Sequence, residues 1–153
     1  MTTVYIGLGA NIDGPIEQIH IALQTLKALP ETQLHRCSSL YGSAPLGPED
    51  QPDYVNAVAE LETGLSPMDL LDALQAIEKT QGRVKQRHWG ERCIDLDILL
   101  YGDETLSSER LNLPHHEMKN RSFVVTPLLE IAPDLVLPGM LIGKLLRSPH
   151  AHA

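Results

Sequence analysis

Asp95 and Asp97 stand two positions apart inside Ile94-Asp95-Leu96-Asp97-Ile98-Leu99-Leu100. The run is short and rich in branched apolar residues, which predicts a buried strand. Side chains alternate along a strand, so Ile94, Leu96, Ile98 and Leu100 are expected on one face and both carboxylates on the other, their Cα atoms about 7 Å apart. Two ionised carboxylates held together repel, and burying either one unpaired is costly. A divalent cation resolves both problems. Oxygen-only ligands at this spacing suit Mg²⁺, which takes one or two carboxylates and fills its shell with water and substrate phosphate. The alternative is an ordinary strand whose Asp pair is salt-bridged by nearby arginines.

Those arginines lie just upstream. Residues 83–92 carry Arg83, Lys85, Arg87 and Arg92, with His88 and Trp89 among them and Glu91 as the one acid. The segment is locally +3, while the whole chain, with 12 Lys+Arg against 20 Asp+Glu, is −8, leaving −11 for the rest. A cationic island on an acidic protein points to a small anionic ligand and argues against a general nucleic-acid binder. Cys37 and Cys93 fit neither a disulfide framework nor a zinc spacing, which suggests a reduced, cytoplasmic setting. No secretory leader or membrane-length apolar run is legible. The length of 153 residues suits a single domain, 1–153, with a core of its own and a loose tail after about residue 140.

The elements that must position these groups follow from periodicity. Val4, Ile6 and Leu8 alternate with Tyr5, Gly7 and Gly9, an opening strand whose glycines suit close backbone approach; the third glycine of a dinucleotide fingerprint is missing. Pro15 after Asp13-Gly14 starts a helix with Ile16, Ile19, Leu23 and Leu26 at helical spacing, closed by Pro30. Leu34–Tyr41 reads as a second strand. Residues 42–53 are dense in turn formers and long enough for a binding loop or a lid, though plain connection is the commoner role of such a segment. In the third strand Val55, Ala57, Ala59 and Leu61 share one face and Tyr54, Asn56 and Val58 the other. Ser66-Pro67-Met68-Asp69 is a capped helix start. Leu70, Leu71, Leu74 and Ile77 form that helix's buried stripe, with Gln75 and Glu78 beside it. After the Asp strand come a turn at 101–104, an extended stretch up to Pro114, and a final helical segment from Arg121-Ser122-Phe123 to Ile131. The order β-α-β-β-α-β predicts a ferredoxin-like α+β sandwich, an antiparallel sheet with helices packed on one face, plus C-terminal additions.

Gly7-Leu8-Gly9-Ala10-Asn11, Pro45-Leu46-Gly47-Pro48, Gln51-Pro52-Asp53-Tyr54-Val55-Asn56, Arg92-Cys93-Ile94-Asp95-Leu96-Asp97-Ile98 and Leu113-Pro114-His115 occur in that order. Together they closely resemble the 6-hydroxymethyl-7,8-dihydropterin pyrophosphokinases of folate biosynthesis, from residue 4 to about 137. The resemblance implies transfer of the diphosphate of ATP to the pterin hydroxymethyl group, with release of AMP. It implies two Mg²⁺ ions on Asp95 and Asp97, and catalytic roles for Arg83, Arg92 and the two aspartates. On the ATP side it places Gln75, Glu78, Arg83, Lys85, Trp89, Arg92, Ile98, Arg110, Asn112, His115, His116 and Arg121. Around the pterin it places Gly9, Ser43, Ala44, Pro45, Leu46, Tyr54, Asn56, Trp89, Asp95 and Phe123, with the ring between aromatic side chains and its edge read by Asn56. Lys85, Asn112, His116 and Ala44 depart from the residues most common in that pattern. The expected partners are the two small-molecule substrates, with no nucleic acid or membrane, and a monomer.

Two competing readings remain at the level of sequence. One is another Mg²⁺-dependent phosphoryl transferase or nucleotidyl hydrolase on the same acidic pair. The other is an RNA-binding module that stacks bases on sheet aromatics. Only one Phe and one Trp, a net charge of −8 and an Asp pair on the sheet face weigh against RNA.

Overall fold

The computed structural model describes residues 1–11, 14–43, 54–82, 94–115, 122–134, 136–137 and 140–141. Strand β1 (Thr2–Ala10) leads into α1 (Pro15–Lys27), β2 (Thr32–Cys37), β3 (Tyr41–Ser43) and β4 (Tyr54–Thr63). Helix α2 (Pro67–Gly82) then precedes β5 (Asp95–Tyr101), the short pair β6 (Leu106–Ser107) and β7 (Asn112–Leu113), and α3 (Ser122–Ile131). A last pair, β8 (Val136–Leu137) and β9 (Met140–Leu141), follows.

The main sheet runs β2-β4-β1-β5, every pair antiparallel, with β3 joining β4 beyond the end of β2. This is the ferredoxin-like arrangement expected of the element order. Inward residues of α1 (Ile19, Ala22, Leu26) and α2 (Leu70, Leu71, Leu74, Ile77) pack on Val4, Ile6, Leu8, Ala57, Ala59, Leu61, Leu96 and Ile98. Each Val, Leu or Ile among them removed from water contributes about 1.5–3 kcal/mol before entropy is charged against it. The start of α2 is capped as its sequence predicts, the Asp69 N–H donating to Ser66 Oγ at 3.1 Å. Opposite these helices, α3 covers part of the other sheet face, with Val124, Val125, Leu128 and Ile131 packed against Tyr5, Val58, Leu99 and Leu100.

Two expectations are corrected. Leu100 lies with the α3 cluster, not with Ile94, Leu96 and Ile98. Between Tyr5–Leu100 and Ile6–Ile98 the register slips by one, so Leu99 is a bulge residue and the alternation reverses after it. Tyr101 therefore turns to the helix side, where its hydroxyl donates to the Leu65 carbonyl. The single strand expected over Leu34–Tyr41 is divided into β2 and β3. Ser38 makes the break: its N–H donates to the Val58 carbonyl at 2.8 Å while its hydroxyl accepts from the Val58 N–H at 2.9 Å. A side chain thus replaces one rung of the ladder. The expected loose tail after residue 140 lies largely outside the described residues.

Candidate active site

Where α3 leaves off, the sheet face is built from three adjacent strands in register. Gly9 pairs with Asn56 on one side and Asp95 on the other. One rung further, Gly7 pairs with Val58 and with Asp97. Directly opposed residues share a face, so Asn56, Asp95 and Asp97 stand on one surface with glycines between them. A Cβ on Gly9 would sit 3.0 Å from Asn56 Oδ1, and one on Gly7 would meet Leu99 Cδ2 at 3.4 Å. Gly9 therefore puts no side chain of its own between Asn56 and Asp95, while the Leu99 side chain covers Gly7. Asn56 is buried, Asp95 half-buried and Asp97 exposed, a gradient from a dry end to a wet one.

Tyr54, half-buried, continues the Asn56 face two residues earlier and pairs with Ser43 of β3. Tyr41 pairs with Asn56 itself. Tyr41 and the 38–39 segment are tied to α3 by Glu130. That carboxylate accepts from the Tyr41 hydroxyl at 2.5 Å, the Ser39 N–H at 3.0 Å and the Ser39 hydroxyl at 2.9 Å. The Tyr41 bond, then the Ser39 N–H, hold the Glu130 carboxyl below its ordinary range, and the same carboxylate raises the Tyr41 phenol.

On the β5 side, Glu78 of α2 accepts the Leu96 N–H at 2.8 Å. β5 is an edge strand, and this carboxylate takes up an outward N–H lying between the two aspartates in sequence. Gln75 and Arg110, both expected on the nucleotide side, meet: Arg110 Nη2 donates to Gln75 Oε1 at 3.0 Å and to Asp72 Oδ1 at 2.6 Å. Asp72 is new to the site; its only sequence signal is its place three residues before Gln75 on the same helix flank. His115 reaches the acidic strand through its backbone N–H, which donates to the Leu99 carbonyl at 2.9 Å. The Leu113–Pro114 peptide preceding it is cis. Asn112 lies on β7 opposite Ser107. Ile98 is buried on the helix face, apart from the carboxylates. Phe123 falls in the first turn of α3. Arg83, Lys85, Trp89, Arg92, Ala44, Pro45, Leu46, His116 and Arg121 lie outside the described residues, as does the side chain of Ser43.

Among the described residues no three His, Cys, Asp or Glu side chains gather into a metal-binding group. None of the described helices is long and apolar enough to cross a membrane.

The fold and this face define a class: a ferredoxin-like α+β domain that presents a buried amide beside a pair of acids on one sheet face. The model of the 7,8-dihydro-6-hydroxymethylpterin-pyrophosphokinase family matches residues 5–133. The 2-amino-4-hydroxy-6-hydroxymethyldihydropteridine pyrophosphokinase of Haemophilus influenzae is 60% identical over 139 residues, 91% of this chain and 87% of that one. Its counterpart in Pseudomonas aeruginosa is 56% identical over 135 residues, 88% of this chain and 83% of that one. A crystal structure of wild-type Plasmodium falciparum HPPK-DHPS aligns over 95% of this chain with a TM-score of 0.76 at 13% identity, a likeness of fold. This chain spans 44% of that longer one. The chain belongs to the 7,8-dihydro-6-hydroxymethylpterin-pyrophosphokinase family, enzymes of folate biosynthesis.

Proposed function

We propose that this chain transfers the β,γ-diphosphate of ATP, as one unit, to the hydroxymethyl oxygen of 6-hydroxymethyl-7,8-dihydropterin. A bond forms between that oxygen and the β-phosphorus, the bond from the β-phosphorus to the α,β-bridging oxygen breaks, AMP leaves with that oxygen, and the hydroxyl proton is released. The observation that carries the reading is the rung Asn56–Gly9–Asp95 with Gly7–Asp97 beside it. A planar ligand can lie against a glycine backbone with its edge toward the Asn56 amide and its reactive arm toward the acids.

The donor set fits Mg²⁺. Asp95 and Asp97 supply two carboxylates on one face with no third protein ligand among the described residues, and Mg²⁺ characteristically completes its octahedron with substrate phosphates and water. Two ions are proposed. When bound they would neutralise the triphosphate and fix its oxygens for in-line displacement. The protein's own residues do the rest. Asn56 and Tyr54 hold and orient the pterin, Gln75 and Arg110 bound the nucleotide side, and Glu78 keeps β5 in place. Arg83, Lys85, Arg92, His115 and Arg121 carry phosphate charge, a role preorganised cations perform without reorganising during the step. Trp89 closes over the site and Phe123 backs the pterin ring.

The test is product identity. AMP and the pterin diphosphate should form only when ATP, Mg²⁺ and the hydroxymethyl pterin are all present. Asp97→Asn should keep the fold and lose most turnover, since one charged Mg²⁺ ligand disappears. ADP or inorganic pyrophosphate as the product would favour a different phosphoryl transferase or hydrolase on the same acids.

A further inference from the structure

Asn11 follows directly on the end of β1 and is 0% exposed. Among the described residues neither its Oδ1 nor its Nδ2 has a hydrogen-bond partner. Buried polar side chains are nearly always satisfied, and one left bare loses its hydration with nothing in return. Of the three buried side-chain atoms in that condition among the described residues, two belong to this one amide.

Its place in the sheet says what the amide is near. Gly7 and Gly9 lie on the face that holds Asp97, Asp95 and Asn56, and Asn11 is the next residue in that alternation. The last β1–β4 pair is Ala10–Val55, and continuing that register one step would set Asn11 opposite Tyr54. That continued register would make it a diagonal neighbour of Asn56, roughly 7 Å away across the pleat. The dry end of the site thus has two buried carboxamides, Asn56 and Asn11, on the side of Tyr54 and away from exposed Asp97.

A carboxamide offers a donor and an acceptor side by side. An amide that folding leaves bare stabilises whichever state brings it both. A pterin ring is edged by amino, ring N–H and carbonyl groups, so the pterin-loaded site is rich in the complementary chemistry. We propose that Asn11 is a positioning residue of the pterin end, its carboxamide completing its hydrogen bonds only in the pterin-loaded state and fixing the floor against which Tyr54 and Asn56 hold the ring. This rests on the pterin reading given above. Stability withheld from the empty protein is returned as pterin affinity.

The experiment compares wild type, Asn11→Leu, which is close in size, and Asn11→Ser, which cannot overpack. Each is unfolded thermally when empty. Each is then titrated with 6-hydroxymethylpterin in the presence of Mg²⁺ and α,β-methylene-ATP, which cannot release AMP. The expected result is an empty-state unfolding temperature at or above wild type, with a pterin Kd raised about tenfold, the loss of one or two hydrogen bonds. The Kd for the nucleotide analogue should stay within about twofold, and KM for the pterin should rise more than KM for ATP. A purely structural amide, satisfied by bound water, predicts the reverse: the empty variants lose several degrees and the pterin Kd does not move. That result overturns the proposal, and Asn11→Ser decides it if Asn11→Leu does not fold. Failure of wild type itself to bind the pterin would instead overturn the functional reading beneath it.

Discussion

The backbone N–H of His115 donates to the carbonyl of Leu99 at 2.9 Å, at the point where β5 carries one more residue than β1. A bulge residue is left out of the ladder, so the Leu99 carbonyl is available to a segment arriving from elsewhere. The Pro114-His115 turn is docked in this way two residues beyond Asp97. The same bulge directs the Leu99 side chain onto Gly7, beside the rung that carries Asp97.

Leu99→Ala should therefore be costly to the fold and mild toward the chemistry. The side chain is buried in the α3 cluster, and truncating such a leucine costs about 2–5 kcal/mol. In a domain of this size that lowers the unfolding temperature by roughly 10 °C. The backbone bond to His115 needs no side chain, so AMP release well below the transition should stay within about threefold. Thermal unfolding with a parallel assay checks both, and a stability loss under about 1 kcal/mol would contradict the packing.

The bulge also marks where the sequence stops being legible. Alternation places Asp95 and Asp97 on one face, and Tyr54, Asn56 and Val58 on another strand's matching face, because a period of two needs only local pattern. It misplaces Leu100, because a one-residue slip at Leu99 is apolar on both sides and leaves no trace in composition. The division between β2 and β3 was hidden for a similar reason. Ser38 reads as one polar residue within a strand, and only its paired bonds to Val58 show that it replaces a rung. The rung joining Asn56, Gly9 and Asp95 depends on the register of three distant segments, which no local pattern contains. Asn11 appeared in the sequence only as part of a glycine motif; that it is buried without a partner is a tertiary fact.

Gly9→Ala tests that rung. The new Cβ would stand 3.0 Å from Asn56 Oδ1, tighter than atoms normally tolerate, so the Asn56 side chain has to shift. Overpacking of this kind costs about 1–3 kcal/mol. The larger effect should fall on pterin recognition, with pterin Kd raised tenfold or more and nucleotide affinity nearly unchanged. Calorimetric titration of each substrate separately makes the comparison, and equal losses for both would count against Asn56 as the pterin reader.

Glu130 should give stability a dependence on pH at both ends. Its carboxyl is held below the ordinary range by Tyr41 and Ser39, so its contribution is present above the unfolded carboxyl pKa and is lost as pH falls through the folded one. The Tyr41 phenol is held above its ordinary value of 10.0 by the same bond; that contribution is present below the unfolded pKa and is lost as pH rises through the folded one. The unfolding-temperature difference between wild type and Glu130→Gln should thus be flat from about pH 5 to pH 9 and shrink outside that window. The group is exposed, so the plateau should be only about 1–3 °C. A difference that grows below pH 4 would refute the assignment.

Glu78 is asked to do two things, and two variants separate them. Its Oε2 accepts the Leu96 N–H at 2.8 Å, holding the edge strand between the two aspartates, and it also belongs to the proposed nucleotide side. Glu78→Ala leaves that N–H without its acceptor, which should cost about 1–2 kcal/mol and let β5 open more often at its start. The Leu96 amide should then exchange at least tenfold faster in deuterium oxide than in wild type. Glu78→Gln keeps an acceptor oxygen of the same reach but removes the charge. If the carboxylate only anchors the strand, glutamine should restore both stability and slow exchange, with ATP affinity intact. If its charge also acts on the nucleotide side, glutamine should restore the strand and still shift ATP affinity by threefold or more. We expect the second outcome, because a neutral side chain would serve the strand alone. Unchanged Leu96 exchange in Glu78→Ala would show that the carboxylate does not hold β5.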